Sequence, residues 1–254
     1  MRYAAIGDSY SEGVGDELPD GTVRGWADFV AAGLAAALAG VEPVDYANFA
    51  IRGRLLRPIV TTQLDEALAL DPAPDLVTIN GGGNDMLRPG VDLPALIGLV
   101  DRGLRRCLDA GVRPVFVTGA DPTGRLPLGA MVRRRGTYLT AALVEMCERE
   151  KVTLVNVFAD DELRDPRYWS HDRLHLATDG HRRVAGLVLH ALGHGPAPSP
   201  AATAAAVARG PGESLRYYRE YVLPWVGRRL RGRSSGDSRV PKHPDWHRIA
   251  ATRP

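Results

Sequence analysis

The sequence predicts an α/β domain in three layers (α/β/α), with helices on both faces of a central parallel sheet of about five strands and a C-terminal extension after it. Three observations predict it. Short apolar runs of strand length alternate with helical patterns over most of the chain. Several of these runs end in Gly-rich turns, which fall on one edge of the sheet if the crossovers are right-handed. Hydrophobic residues make up 44% and charged residues 24% of the 254 residues, an ordinary balance for a globular chain that buries its core without disulfides or metals.

Each element follows from its local pattern. Tyr3–Gly7 predicts the first strand, which stops at the turn-forming triplet Gly7-Asp8-Ser9. Asp8–Arg24 predicts a loop rich in Gly and acidic residues, and Gly25–Leu38 an Ala/Leu helix. Val44–Phe49 predicts the second strand, with a turn running from Asn48 to Gly53. Leu55–Leu70 predicts a helix whose apolar stripe is Leu56, Ile59, Val60, Leu64, Ala67 and Leu68. Asp75–Ile79 predicts the third strand, ending in Asn80-Gly81-Gly82-Gly83-Asn84-Asp85. Leu93–Ala110 predicts a helix stopped by Gly111. Pro114–Thr118 predicts the fourth strand, Asp121–Leu128 a Pro/Gly loop, and Met131–Lys151 a long helix. Val152–Val157 predicts the fifth strand, and Asp160–Ala177 reads as irregular. Thr178 reads as the N-cap of a last helix, Asp179–Leu192.

The domain is expected to span residues 1–195. Residues 196–254 read as a Pro/Ala linker followed by a basic, aromatic extension, with Arg231–Ser238 expected to be flexible. The formal net charge of +2 is unevenly spread. Residues 209–254 carry +7 and the remaining 208 residues −5, so the extension is expected to dock on its own acidic domain. The alternative is that Arg228-Arg229-Leu230-Arg231-Gly232-Arg233 meets a partner or an anionic surface, such as nucleic acid or membrane headgroups. The two cysteines, Cys107 and Cys147, lie in predicted helices and read as buried free thiols. No apolar stretch reaches membrane-spanning length and no signal-peptide pattern opens the chain, which predicts a cytoplasmic protein.

A serine just after the first strand sits at the carboxyl edge of the sheet, where open α/β sheets bind ligands. Ser9 is therefore the candidate nucleophile, and it needs an imidazole to take its proton. Asp172-Arg173-Leu174-His175 places a carboxylate three residues before a histidine, close enough in one backbone turn for the carboxylate to accept from Nδ1 and leave Nε2 for Ser9. His171 and His181 compete, with His181 read as a surface residue or a cap partner of the last helix. Candidate oxyanion donors are the N–H groups of Ser9 and Gly53 and the side-chain amide of Asn84. Asp8 and Asp85 read as structural groups that hold their own turns. A metal held by His171, Asp172 and His175 is the weaker reading, because H-E-x-x-H is missing, and a dinucleotide site lacks G-x-G-x-x-G.

These motifs resemble those of the SGNH hydrolases, also called GDSL lipases/esterases. Gly7-Asp8-Ser9-Tyr10-Ser11 matches the family's first element, and Gly53 after Asn48 its second. Gly82-Gly83-Asn84-Asp85 matches G-x-N-D, and Asp172-Arg173-Leu174-His175 matches the closing D-x-x-H. The resemblance covers residues 1–195 and implies an SGNH/flavodoxin-like fold. It implies Ser9 as nucleophile, His175 as base, Asp172 as its orienter, and Gly53 with Asn84 completing the oxyanion hole. The expected function is hydrolysis of small-acyl carboxylic esters, acetyl esters among them, through an acyl-enzyme, with no metal or organic cofactor. Transfer of the acyl group to another alcohol is the alternative use of the same site. The pocket is expected to be lined by Glu12–Arg24, Met86–Asp92 and Asp121–Leu128, with no long apolar wall.

Overall fold

The first strand, β1 (Arg2–Ile6), is buried from Tyr3 onward. Its alternation sends Tyr3 and Ala5 into the core on one face of the sheet, and Ala4 and Ile6 into the core on the other. A strand covered on both faces needs a continuous apolar run, which is what the sequence supplies. β2 (Val44–Asn48), β3 (Leu76–Ile79), β4 (Arg113–Val117) and β5 (Thr153–Val155) follow. β1 pairs in parallel with β2 on one side and β3 on the other, and β4 and β5 extend the sheet beyond β3, also in parallel. The chain order therefore reverses at β1, and the crevice beyond the carboxyl ends of β1 and β3 is the topological switch point.

This computed structural model describes residues 1–125, 129–200 and 236–251. The expectations for Leu126, for Ala201–Ala208 and for Arg228–Arg233 lie outside the described residues. The helices are α1 (Ser9–Glu12), α2 (Trp26–Ala37), α3 (Leu56–Pro58), α4 (Leu64–Leu68), α5 (Gly83–Met86), α6 (Leu93–Asp109), α7 (Gly129–Glu150) and α8 (Thr178–Ala191). α2 and α8 cover one face of the sheet, burying Trp26, Leu34, Val184 and Val188. The other face takes Leu56, Leu64, Leu104 and Met146 from α3, α4, α6 and α7. The three-layer arrangement expected from the alternation is therefore present. Cys107 and Cys147 are free and buried in the second of these cores. Burial pushes their thiols up, to about 12 and about 11. Among the described residues, no helix is long and apolar enough to cross a membrane.

Four local expectations are corrected. The loop after β1 is helical at once, because Asp8 caps α1 by accepting from the Tyr10 N–H. The single helix expected over 55–70 is α3 and α4 joined by a π-helical turn, Ile59–Gln63. Gln63 in that turn clasps the end of β1, accepting from the Gly7 N–H at 2.7 Å and donating to the Gly7 carbonyl at 3.0 Å. Thr178 lies inside α8 rather than capping it, and its hydroxyl donates to Asp16 at 2.6 Å.

The fourth correction concerns the far end of the chain. The sequence predicts a sheet of about five parallel strands, and the C-terminal extension supplies a sixth, β6 (His243–Ile249), antiparallel on the outer edge of β2. Asn48 of β2 stands opposite His243 and Val44 opposite Ile249. Gly236–Ser238, within the stretch expected to be flexible, form a turn, and Gly236 is buried against Arg52. Three basic side chains of this segment meet acidic ones of the domain: Arg239 with Glu12, Lys242 with Asp28 and Arg248 with Asp45.

Candidate active site

Ser9 begins α1 directly beyond β1, so its side chain emerges at the switch point. His175 reaches the same place from the loop before α8. Its Nε2 lies 2.9 Å from Ser9 Oγ and its Nδ1 2.5 Å from Asp172 Oδ2. The proton positions follow from Asp172. Burial opposes its ionisation, but the hydrogen bond from the His175 ring, the charge of that ring, and bonds from the His175 N–H and Ser170 prevail. They hold the carboxyl well below the usual carboxylate range. An ionised carboxylate only accepts, so His175 carries its proton on Nδ1 and turns a lone pair toward Ser9. The Ser9 hydroxyl then donates to Nε2. Such a relay can move a proton from hydroxyl to imidazole.

The other oxygen of Asp172 builds the loop. Oδ1 accepts from the Ser170 hydroxyl at 2.7 Å and from the N–H groups of Leu174 and His175 at 2.9 Å each. This tight turn carries Arg173 in the left-handed region, with φ of 58°. One carboxylate thus shapes the backbone and aims the ring.

Gly53 and Asn84 line the same cavity as Ser9 and His175. Gly53 sits in a turn closed by the Arg54 N–H donating to the Ile51 carbonyl, and its φ of 76° is one that glycine adopts without strain. Asn84, in α5 beyond β3, donates through Nδ2 to Asp8 at 3.0 Å and to the Arg54 carbonyl at 3.1 Å. Asp8 holds its own turn as expected, through the Tyr10 N–H, whereas Asp85 bonds to another element. Asp8 joins the strand-end loops of β1 and β3, and Asp85 accepts from the Leu56 N–H. Burial is the main reason that Asp8 is pushed up, to about 6.

Two histidines read as competitors stand elsewhere. His171 is exposed. His181 is fully buried, which corrects the expectation of a surface or cap residue. Its Nδ1 accepts from the Trp26 N–H and its Nε2 lies 3.3 Å from the Val14 carbonyl, so a neutral ring satisfies both. Burial pushes its pKa down to about 4. Among the described residues, no group of three or more His, Cys, Asp or Glu side chains is arranged to hold a metal ion.

The cavity over Ser9 has a volume of about 520 Å³, within the ordinary range for a small-molecule site. Only part of its described wall comes from the loops expected to form it, through Val14, Met86, Leu87, Arg88 and Pro122. Apolar residues outside those loops also line it: Val132, Leu139 and Leu143 in a stripe on α7, with Leu55, Pro58 and Phe158. This corrects the expectation of no long apolar wall. The stripe on α7 has the same spacing as a core-facing stripe, and nothing in the sequence distinguishes the two uses.

Solved structures share this architecture. A lipase from a goat rumen metagenome matches with a TM-score of 0.62 at 19% identity, over 78% of this chain and 100% of its own. A catalytic mutant of Axe2, an acetylxylan esterase from Geobacillus stearothermophilus, matches with a TM-score of 0.64 at 19% identity, over 76% and 94%. The psychrotrophic esterase EstA from Pseudoalteromonas sp. matches with a TM-score of 0.59 at 18% identity, over 76% and 96%. At these identities the likeness is one of fold. No curated protein matches the chain in sequence. The family model of the GDSL-like lipases and acylhydrolases matches residues 5–183, most of the chain and all four motifs. The chain therefore belongs to the GDSL-like lipase/acylhydrolase family of serine ester hydrolases.

Proposed function

We propose that the protein hydrolyses carboxylic esters through an acyl-enzyme on Ser9. The observation that carries this reading is the unbroken relay from Ser9 through His175 to Asp172, all three lining the cavity. Ser9 Oγ bonds to the acyl carbon while His175 Nε2 takes the hydroxyl proton. The carbonyl oxygen becomes an oxyanion held by the N–H groups of Ser9 and Gly53. Asn84 adds a third donor by releasing its bond to the Arg54 carbonyl. Collapse breaks the bond to the leaving alcohol, which takes the proton from His175. Water then repeats the sequence on the acyl-enzyme, with His175 again as base, and frees the acid and Ser9. Asp172 stays ionised throughout and holds the imidazolium.

The α7 stripe and Phe158 support an acyl group with a hydrocarbon chain rather than acetyl alone. The buried free thiols of Cys107 and Cys147 support a reducing, cytoplasmic compartment. The test is turnover of p-nitrophenyl acetate, butyrate and octanoate by wild type and Ser9→Ala. Butyrate is expected to be turned over at least as well as acetate, with the variant at background. Equal turnover by both proteins would overturn the assignment of Ser9.

A further inference from the structure

Residues 236–249 begin close to the site, although they follow the catalytic loop by more than sixty residues. Gly236 packs so tightly on the turn that carries Gly53 that a Cβ there would stand 2.0 Å from the Arg52 carbonyl oxygen. The next residue, Asp237, lines the cavity together with Ser9, Gly53 and His175. Five residues on, the ammonium group of Lys242 is largely buried. It donates to the Glu12 carbonyl at 2.7 Å, the Asp28 carboxylate at 2.6 Å and the Val23 carbonyl at 3.3 Å. A cation is thereby fixed at the last residue of α1, the helix that Ser9 begins.

Glu12 closes the circuit. Its buried carboxylate accepts from the Arg52 N–H at 2.6 Å and from Arg52 Nε at 2.8 Å. The backbone of Arg52, one residue before Gly53, is thus tied to α1 through Glu12, and Lys242 and Gly236 press on the same two elements. Beyond Lys242, β6 anchors the segment along the whole of β2, whose end leads into that turn.

We propose that the C-terminal segment is a working part of the active site. Lys242 and Glu12 are positioning residues that fix the Gly53 N–H relative to Ser9, and Gly236-Asp237 form a wall of the cavity. The proposal rests on the reading of Gly53 as an oxyanion donor. Loosening its turn removes an interaction made in the transition state, so kcat falls while KM changes little. Complete loss of one such donor costs about 10²–10³-fold. Misplacement by a lost tether is expected to cost on the order of 10-fold.

The experiment compares full-length wild type with Lys242→Met, Lys242→Arg, Gly236→Val and Arg248→Ala. Arg248 makes an exposed ion pair with Asp45, away from the site, and serves as the control. The first readout is hydrogen exchange across residues 50–55, which needs no substrate and is informative whether or not Ser9 acts on esters. Lys242→Met and Gly236→Val are expected to lose protection there, while Arg248→Ala keeps it. The second readout is kcat and KM on p-nitrophenyl butyrate, with the inhibition constant of an alkylboronic acid, whose tetrahedral adduct mimics the oxyanion. Lys242→Met is expected to lower kcat and weaken the boronate by a similar factor, about 10-fold, with KM within about 3-fold. Lys242→Arg is expected to restore most of both. Unchanged exchange over residues 50–55 in both Lys242→Met and Gly236→Val would overturn the proposal. So would altered exchange with unchanged kcat and boronate affinity in a wild type whose turnover requires Ser9. Wild-type turnover that survives Ser9→Ala would instead sink the reading of the site and leave the exchange result to decide the tether.

Discussion

Asp172→Asn separates the two tasks of one side chain. The carboxamide keeps an oxygen where Oδ1 accepts from Ser170, Leu174 and the His175 N–H, so the turn survives. Its NH2 group then stands where Oδ2 faces His175 Nδ1. A donor there forces Nδ1 to become the acceptor and moves the ring proton to Nε2. The ring would donate to Ser9 instead of accepting its proton. Loss of the correct tautomer in a Ser-His-Asp relay costs about 10⁴-fold in kcat, or roughly 5.5 kcal/mol in the barrier at about 1.4 kcal/mol per tenfold. Thermal stability should change little. Asp172→Ala should match that loss of activity and also lower stability, because three hydrogen bonds of about 1 kcal/mol each disappear from the loop. The assay is p-nitrophenyl butyrate turnover alongside thermal unfolding of both variants. A kcat within 10-fold of wild type for Asp172→Asn would refute the tautomer argument. Equal unfolding temperatures for the Asn and Ala variants would refute the division of labour between the two oxygens.

Two further outcomes follow from buried groups. Gln63→Leu leaves the buried Gly7 N–H without its partner and should cost about 1–3 kcal/mol in denaturant unfolding; an unchanged midpoint would contradict it. His181 is held neutral down to about pH 4 in the folded protein, whereas the unfolded chain protonates it near 6.5. Acid therefore favours the unfolded chain, and stability present above pH 6.5 is lost as pH falls to 4, by on the order of 3 kcal/mol. Asp8, raised to about 6, works in the opposite direction over nearly the same window. The comparison is accordingly wild type minus His181→Gln, in which Asp8 cancels. Parallel stability curves for the two proteins between pH 7 and 4 would show that the ring does not titrate this way.

The alternation of apolar runs and helical patterns made the three layers legible, because a strand buried on both faces and a helix covering it leave different periods. The relay was legible because Asp172 and His175 are three positions apart and because Ser9 follows a strand directly. Other features left no such trace. His243–Ile249 has a Pro, two His and an Asp, no apolar alternation, and mostly exposed side chains. What holds it is backbone pairing to an open edge, which composition does not report. The burial of His181 depends on a hydrogen bond from Trp26, 155 residues earlier. The short helix at Ser9 is set by one Asp8 carboxylate and has too few residues to show a period.

The pairing of β6 with β2 joins residues about two hundred positions apart, and the entropy of closing so long a loop rises only slowly with its length, by about 0.6 kcal/mol per doubling. During synthesis the order is unforgiving. Ser9 and β2 are both made long before β6, so the edge of β2 stays open until His243–Ile249 has followed. A chain stalled before that point leaves the β2 edge uncovered, the feature by which unfinished copies would pair with one another.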